Sequence, residues 1–165
     1  MSIKKRAKDQ LNWLEKVLHK IPGFKGYYER EMRRDSDKLQ RDFVIIKLEK
    51  VRNELKEQID GITREGDLKL LNGYDTLLKY FDKVINTIRY ADRGYTGFFD
   101  LIKIKEAELD KVYEIDLELA EEVLNLTENV SPAPEKDGRD KIREHLKSIE
   151  DIFEKRNNLL KGFEG

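Results

Sequence analysis

The chain has 165 residues, enough for one well-filled core and too few for two. Charged residues make up 41% and apolar ones 38%, and the apolar residues recur at helical spacing, which excludes disorder. A net charge of −1 gives no bulk attraction to nucleic acid, and with no cysteine there are neither disulfides nor thiolate metal sites.

Ile3, Ala7, Leu11, Leu14, Leu18 and Ile21 step by three and four, which predicts a first helix to about His19 or Lys20. Trp13 and Val17 widen its apolar arc enough to touch two neighbours. Pro22-Gly23 ends it, because proline lacks the donor that would continue the helix.

A second helix is predicted from about Tyr28 to Asp60. Tyr28, Met32, Leu39, Phe43 and Ile46 share one side, while Val44, Leu48, Val51, Leu55, Ile59 and Ile62 share the opposite one. Either the helix kinks near Phe43-Val44-Ile45-Ile46, or its two halves pack against different partners. A straight helix of this length spans roughly 50 Å, more than the first helix can cover.

Gly61 to Gly66 reads as a connection, and a third helix runs from about Asp67 to Asp92. Leu70, Tyr74, Leu77, Leu78, Phe81, Val84, Ile85 and Ile88 lie along one of its faces. A fourth helix, about Lys103 to Glu128, turns Leu109, Val112, Tyr113, Leu119, Ala120 and Val123 inward. The stretch from about 129 to 138, with Ser131-Pro132-Ala133-Pro134 at its centre, reads as a linker. The fifth helix follows to about Lys161, with Ile142, Leu146, Ile149, Ile152, Phe153 and Leu160 inward. The expected fold is all-α: one domain over 1–165, an elongated bundle of about five long helices, arranged as two helix–turn–helix hairpins plus a C-terminal helix.

One pattern occurs twice. Gly23-Phe24-Lys25-Gly26-Tyr27-Tyr28-Glu29 and Gly94-Tyr95-Thr96-Gly97-Phe98-Phe99-Asp100 share glycine, aromatic, any residue, glycine, two aromatics and an acid. Glycine suits the sharp turns at a helix end, and an acid suits the start of the next helix. These segments are either hairpin corners plugged by Phe24, Tyr27, Tyr95 and Phe98, or a paired aromatic recognition surface. With the flanking Ile21-Pro22, Arg33-Arg34-Asp35 and Tyr90 to Arg93, both corners resemble segments of uncharacterised prokaryotic helical proteins. The resemblance covers the corners and their adjoining helices, and it implies no activity and no catalytic or binding residue.

Catalytic and metal motifs find no support. A di-iron or di-manganese bundle needs inward carboxylates and two Glu-x-x-His pairs, but His19 and His145 are the only histidines and neither follows a glutamate by three. No Walker loop, dinucleotide fingerprint or nucleophile elbow is present. No cofactor and no metal are therefore expected.

Three polar residues fall on inward stripes: Asp116 on the fourth helix, His145 and Arg156 on the fifth. They form either a pocket with a tuned carboxylate or a structural ion pair that fixes helix register. Arg30, Arg34 and Arg41 continue the side of the second helix that turns apolar after Val44, a spacing that suits an anion or an internal carboxylate. Charge is also graded along the chain. Residues 1–56 carry 16 Lys and Arg against 9 Asp and Glu, and residues 101–129 carry 3 against 9. The two regions can attract each other, drive self-association or draw an anionic partner.

The leading expectation is a non-enzymatic helical interaction or scaffold module that self-associates, a dimer being favoured, with a further protein partner of unknown identity. The alternative is a peripheral binder of an anionic membrane or nucleic acid through the basic first third. An enzyme working from the inward polar cluster comes third. No run approaches the roughly 20 apolar residues of a membrane span, and the basic start is not followed by a signal-peptide core, so a cytoplasmic location is expected. Heavy Lys and Glu usage leans towards a thermophilic source.

Overall fold

A computed structural model describes residues 33–91, 106–130 and 135–163. Within them the protein is all-helical, with no strand among the described residues. The four helices are α1 (Arg33–Glu65), α2 (Leu68–Arg89), α3 (Glu106–Asn129) and α4 (Lys136–Phe163). The expected first helix and both glycine-aromatic corners lie outside the described residues.

Local chemistry sets the α1–α2 turn. Gly66 takes φ +78°, a left-handed conformation that only glycine adopts without strain, and its N–H donates to the Ile62 carbonyl at 3.1 Å. Asp67 then caps α2, its carboxylate accepting from the Leu70 N–H at 3.1 Å. The connection is therefore shorter than the sequence suggested. Gly61 to Glu65 continue α1, because only Gly66 needs the turn conformation and Ile62 is drawn into the core. The linker is shorter too: Lys136 to Gly138 already belong to α4, whose first turn carries Asp137 where an acid is favoured.

Each helix contributes one stripe to a shared core. Val44, Leu48, Val51, Leu55 and Ile62 come from α1, and Tyr74, Leu77, Phe81, Val84, Ile85 and Ile88 from α2. From α3 come Ile115, Leu119, Ala120, Val123 and Leu126, and from α4 Ile142, Leu146, Ile149, Ile152 and Phe153. Helix α1 packs on α2 and α3 on α4, while α2 also meets α4 and α1 also meets α3. The first two pairs are antiparallel: Arg52 meets Asp82 and Glu49 meets Arg89, just as Asp116 meets Arg156 and Glu122 meets His145. The other two run parallel, with Tyr74 beside Arg139 and Lys83 beside Glu150 across one, and Gln40 beside Asp116 across the other. Helix α1 is continuous from Arg33 to Glu65, with Val44, Leu48 and Val51 inside, whereas Ile46 is 62% exposed.

Candidate functional site

Among the described residues three charged side chains are buried: Arg139, over Tyr74 near the start of α4, and Asp116 and Arg156, towards the end where α1 begins and α4 finishes. Asp116 stands on the α3 stripe between Ile115 and Leu119, and Arg156 follows Phe153 by three on the α4 stripe. Antiparallel packing brings them level. Arg156 Nε donates to Asp116 Oδ1 at 2.6 Å, with side chains 2% and 0% exposed. Burial holds the Asp116 carboxyl above the usual carboxylate range, while the charge and hydrogen bond of Arg156 pull it down.

Helix α1 joins the pair through Gln40, a residue that the sequence pattern did not single out. Its Nε2 donates to the backbone carbonyl of Asp116 at 3.1 Å, and Gln40 is buried. The available signal was positional, since Gln40 precedes Val44 by four and so falls on the same inward stripe.

The other expected residues separate from this cluster. His145 immediately precedes core Leu146 and so points about 100° away from the core direction. It sits at the α3–α4 seam, with Nδ1 at 2.5 Å from Glu122 Oε1 and not against Asp116. Arg41, whose spacing suits an anion or an internal carboxylate, is half-buried. Its Nη1 donates to the Ala91 carbonyl at 3.2 Å, and its guanidinium lies 5.9 Å from the centre of the Phe153 ring. Arg30 and the Arg34 side chain lie outside the described residues, as do Gly23, Phe24, Gly26, Tyr27, Gly94, Tyr95, Gly97 and Phe98.

Two surface depressions accompany the cluster without including it. One, of about 350 Å³, follows the α1–α3 seam, floored by Val51 and Leu124 and rimmed by Lys47, Lys50, Glu54 and Glu128. The other, shallower, lies on α3 and α4 among Glu118, Glu144, Lys147 and Asp151. Both mix the two signs of charge. Among the described residues, no three His, Asp or Glu side chains converge as metal ligands would, and no helix is long and apolar enough to cross a membrane.

A general acid or base must come within hydrogen-bond reach of its substrate. Asp116 is 0% exposed and Arg156 1%, so neither offers solvent a reacting atom. Together with Gln40 and Arg41 they join α1, α3, α4 and the bend that follows α2, through Asp116–Arg156, Gln40–Asp116 and Arg41–Ala91. No family model matches the chain, and no curated protein or solved structure matches it either.

Proposed function

We propose that the chain is a non-enzymatic helical interaction module: a bundle of about five helices, working in the cytoplasm, that self-associates as a dimer. The observation that carries this reading is Ile46, 62% exposed on the side of α1 opposite Val44 and Leu48. An isoleucine exposed on its own is ordinary. In the sequence Ile46 shares a side with Tyr28, Met32, Leu39 and Phe43; Phe43 turns into the core, and we take the docking surface to be Ile46 with the apolar residues that precede it in that sequence stripe. The internal ion pair supports the same reading, because buried charges held by partners fix helix register and keep the outer faces of the module in fixed relation.

Size-exclusion chromatography with light scattering, on wild type and Ile46→Asp, tests the proposal. The wild type is expected to elute as a dimer. The variant is expected to shift towards monomer and, since Ile46 contributes little to the core, to melt with the wild type only at concentrations low enough for both to be monomeric. A wild type that is monomeric throughout, or a variant that dimerises as well as the wild type, overturns the α1 surface.

A further inference from the structure

We propose that two copies of the chain pair through antiparallel α1 helices, with Lys50 opposite the partner's Glu54 and Ile46 seated beside the partner's Gly61. The pairing rests on self-association through α1 and gives that surface its direction and register. Past Ile46 the same side of α1 continues in steps of three and four through Lys50, Glu54, Glu57 and Gly61, all of them exposed. Lys50 and Glu54 also rim the groove at the α1–α3 seam, so α3 leaves this side of α1 open.

A two-fold dimer presents the same patch from both copies, so the patch must complement itself. The order along α1 is basic first and acidic after: Lys50, then Glu54 and Glu57. Parallel helices would set lysine against lysine and glutamate against glutamate. Antiparallel helices centred on Arg52 set Lys50 level with the partner's Glu54, and Glu54 level with the partner's Lys50. Ion pairs this exposed add little affinity; they choose direction and register. In that register Ile46 comes level with the partner's Gln58, in the hollow that Glu54, Glu57, Gln58 and Gly61 outline on a helix surface. The apolar stems of the glutamates and the glutamine can line such a hollow, and Gly61 leaves it open. Gly61 lies inside α1, where almost any other residue suits a helix better, and an added Cβ would meet nothing within 4 Å. The fold of one chain therefore does not call for glycine there, whereas an isoleucine arriving from a second copy does.

Sedimentation equilibrium of the full chain at low salt tests the register, on wild type, Lys50→Glu, Glu54→Lys and the variant carrying both changes. Each single reversal sets like charges together at both symmetric pairs and is expected to weaken self-association about tenfold or more. The double variant exchanges the two signs, restores both pairs and is expected to recover most of the wild-type association. Single reversals without effect, or a double variant as weak as the singles, overturn the pairing. Gly61→Gln fills the hollow, and is expected to weaken self-association while the dilute protein melts no lower than the wild type. Association as strong as the wild type's overturns the Ile46 contact. A wild type that dimerises and responds to Ile46→Asp but not to the reversals overturns this register and leaves the α1 surface standing, whereas a monomeric wild type overturns both.

Discussion

Arg156 and Asp116 meet inside the protein with Nε 2.6 Å from Oδ1, one from α4 and one from α3, and neither charge reaches solvent. A buried pair of this kind is costly to break and cheap to replace. Asp116→Ala removes the buried carboxylate that Arg156 Nε donates to and is expected to cost about 3–5 kcal/mol. Asp116→Asn keeps a hydrogen-bond acceptor and is expected to cost less, about 1–3 kcal/mol. The double variant Asp116→Leu with Arg156→Met is expected to match or exceed the wild type. Urea melts of the single and double variants give the coupling energy directly. Losses below about 0.5 kcal/mol in every variant would mean that the pair carries no structural burden.

The same carboxyl gives a pH dependence of definite sign. Burial raises its folded pKa, with Arg156 opposing, so the folded protein holds this proton more tightly than the unfolded chain does. The stability it contributes is fully present below the unfolded value, about pH 4, and is lost as pH rises through the folded pKa. Asp116→Asn does not titrate there, so it should gain on the wild type across that window. Melts of both proteins at stepped pH measure the gap. A wild type that gains on the variant as pH rises would show that Arg156 outweighs burial.

Three glycines rank the backbone's demands. Gly61 lies inside α1 with nothing within 4 Å of an added Cβ, so Gly61→Ala is expected to stabilise by about 0.5–1 kcal/mol. At Gly73 the new Cβ meets Arg139 Nε and Nη2 at 3.3 Å, where the guanidinium also stacks on Tyr74, so the gain should be smaller. Gly66→Ala forces a side chain into the left-handed region and is expected to cost about 1 kcal/mol. Thermal melts give the order, and an Ala at 66 as stable as glycine would contradict the turn.

Much of the architecture was legible in period. On α2, every residue from Tyr74 to Ile88 that the spacing turned inward is buried, because the stripe is continuous and no polar residue interrupts it. Ends were less legible. Gly61 and Gly138 read as breaks, yet a helix tolerates an isolated glycine at a cost of about 1 kcal/mol when neighbours such as Ile62 and Ile142 are buried. At the site, a charged residue on an apolar stripe was visible for both Asp116 and Arg156. Which residues meet was not, because that depends on how two helices are set lengthwise. Thus His145 went to Glu122, and neutral Gln40 passed unnoticed as a partner of Asp116.

The seam ion pairs offer a salt test that separates surface from interior. Arg52 meets the Asp82 carboxylate through Nε at 2.6 Å and Nη2 at 3.1 Å, with side chains 25% and 47% exposed. Exposed pairs contribute about 0–1 kcal/mol and are screened, whereas a buried pair is shielded from added ions. Arg52→Ala is therefore expected to lose little, and less still in high salt, while the cost of Asp116→Ala should hardly change. Denaturant melts at low and high sodium chloride compare the two. A salt-sensitive Asp116→Ala would place that carboxylate at a solvated edge.

Sedimentation equilibrium of the full chain, from nanomolar to high micromolar concentration, tests the interaction module most directly. Self-association through α1 predicts a mass that rises from the 19.6 kDa of one chain to twice that value, with Ile46→Asp displacing the transition to higher concentration. A single-chain mass at every concentration, identical for wild type and variant, would contradict it.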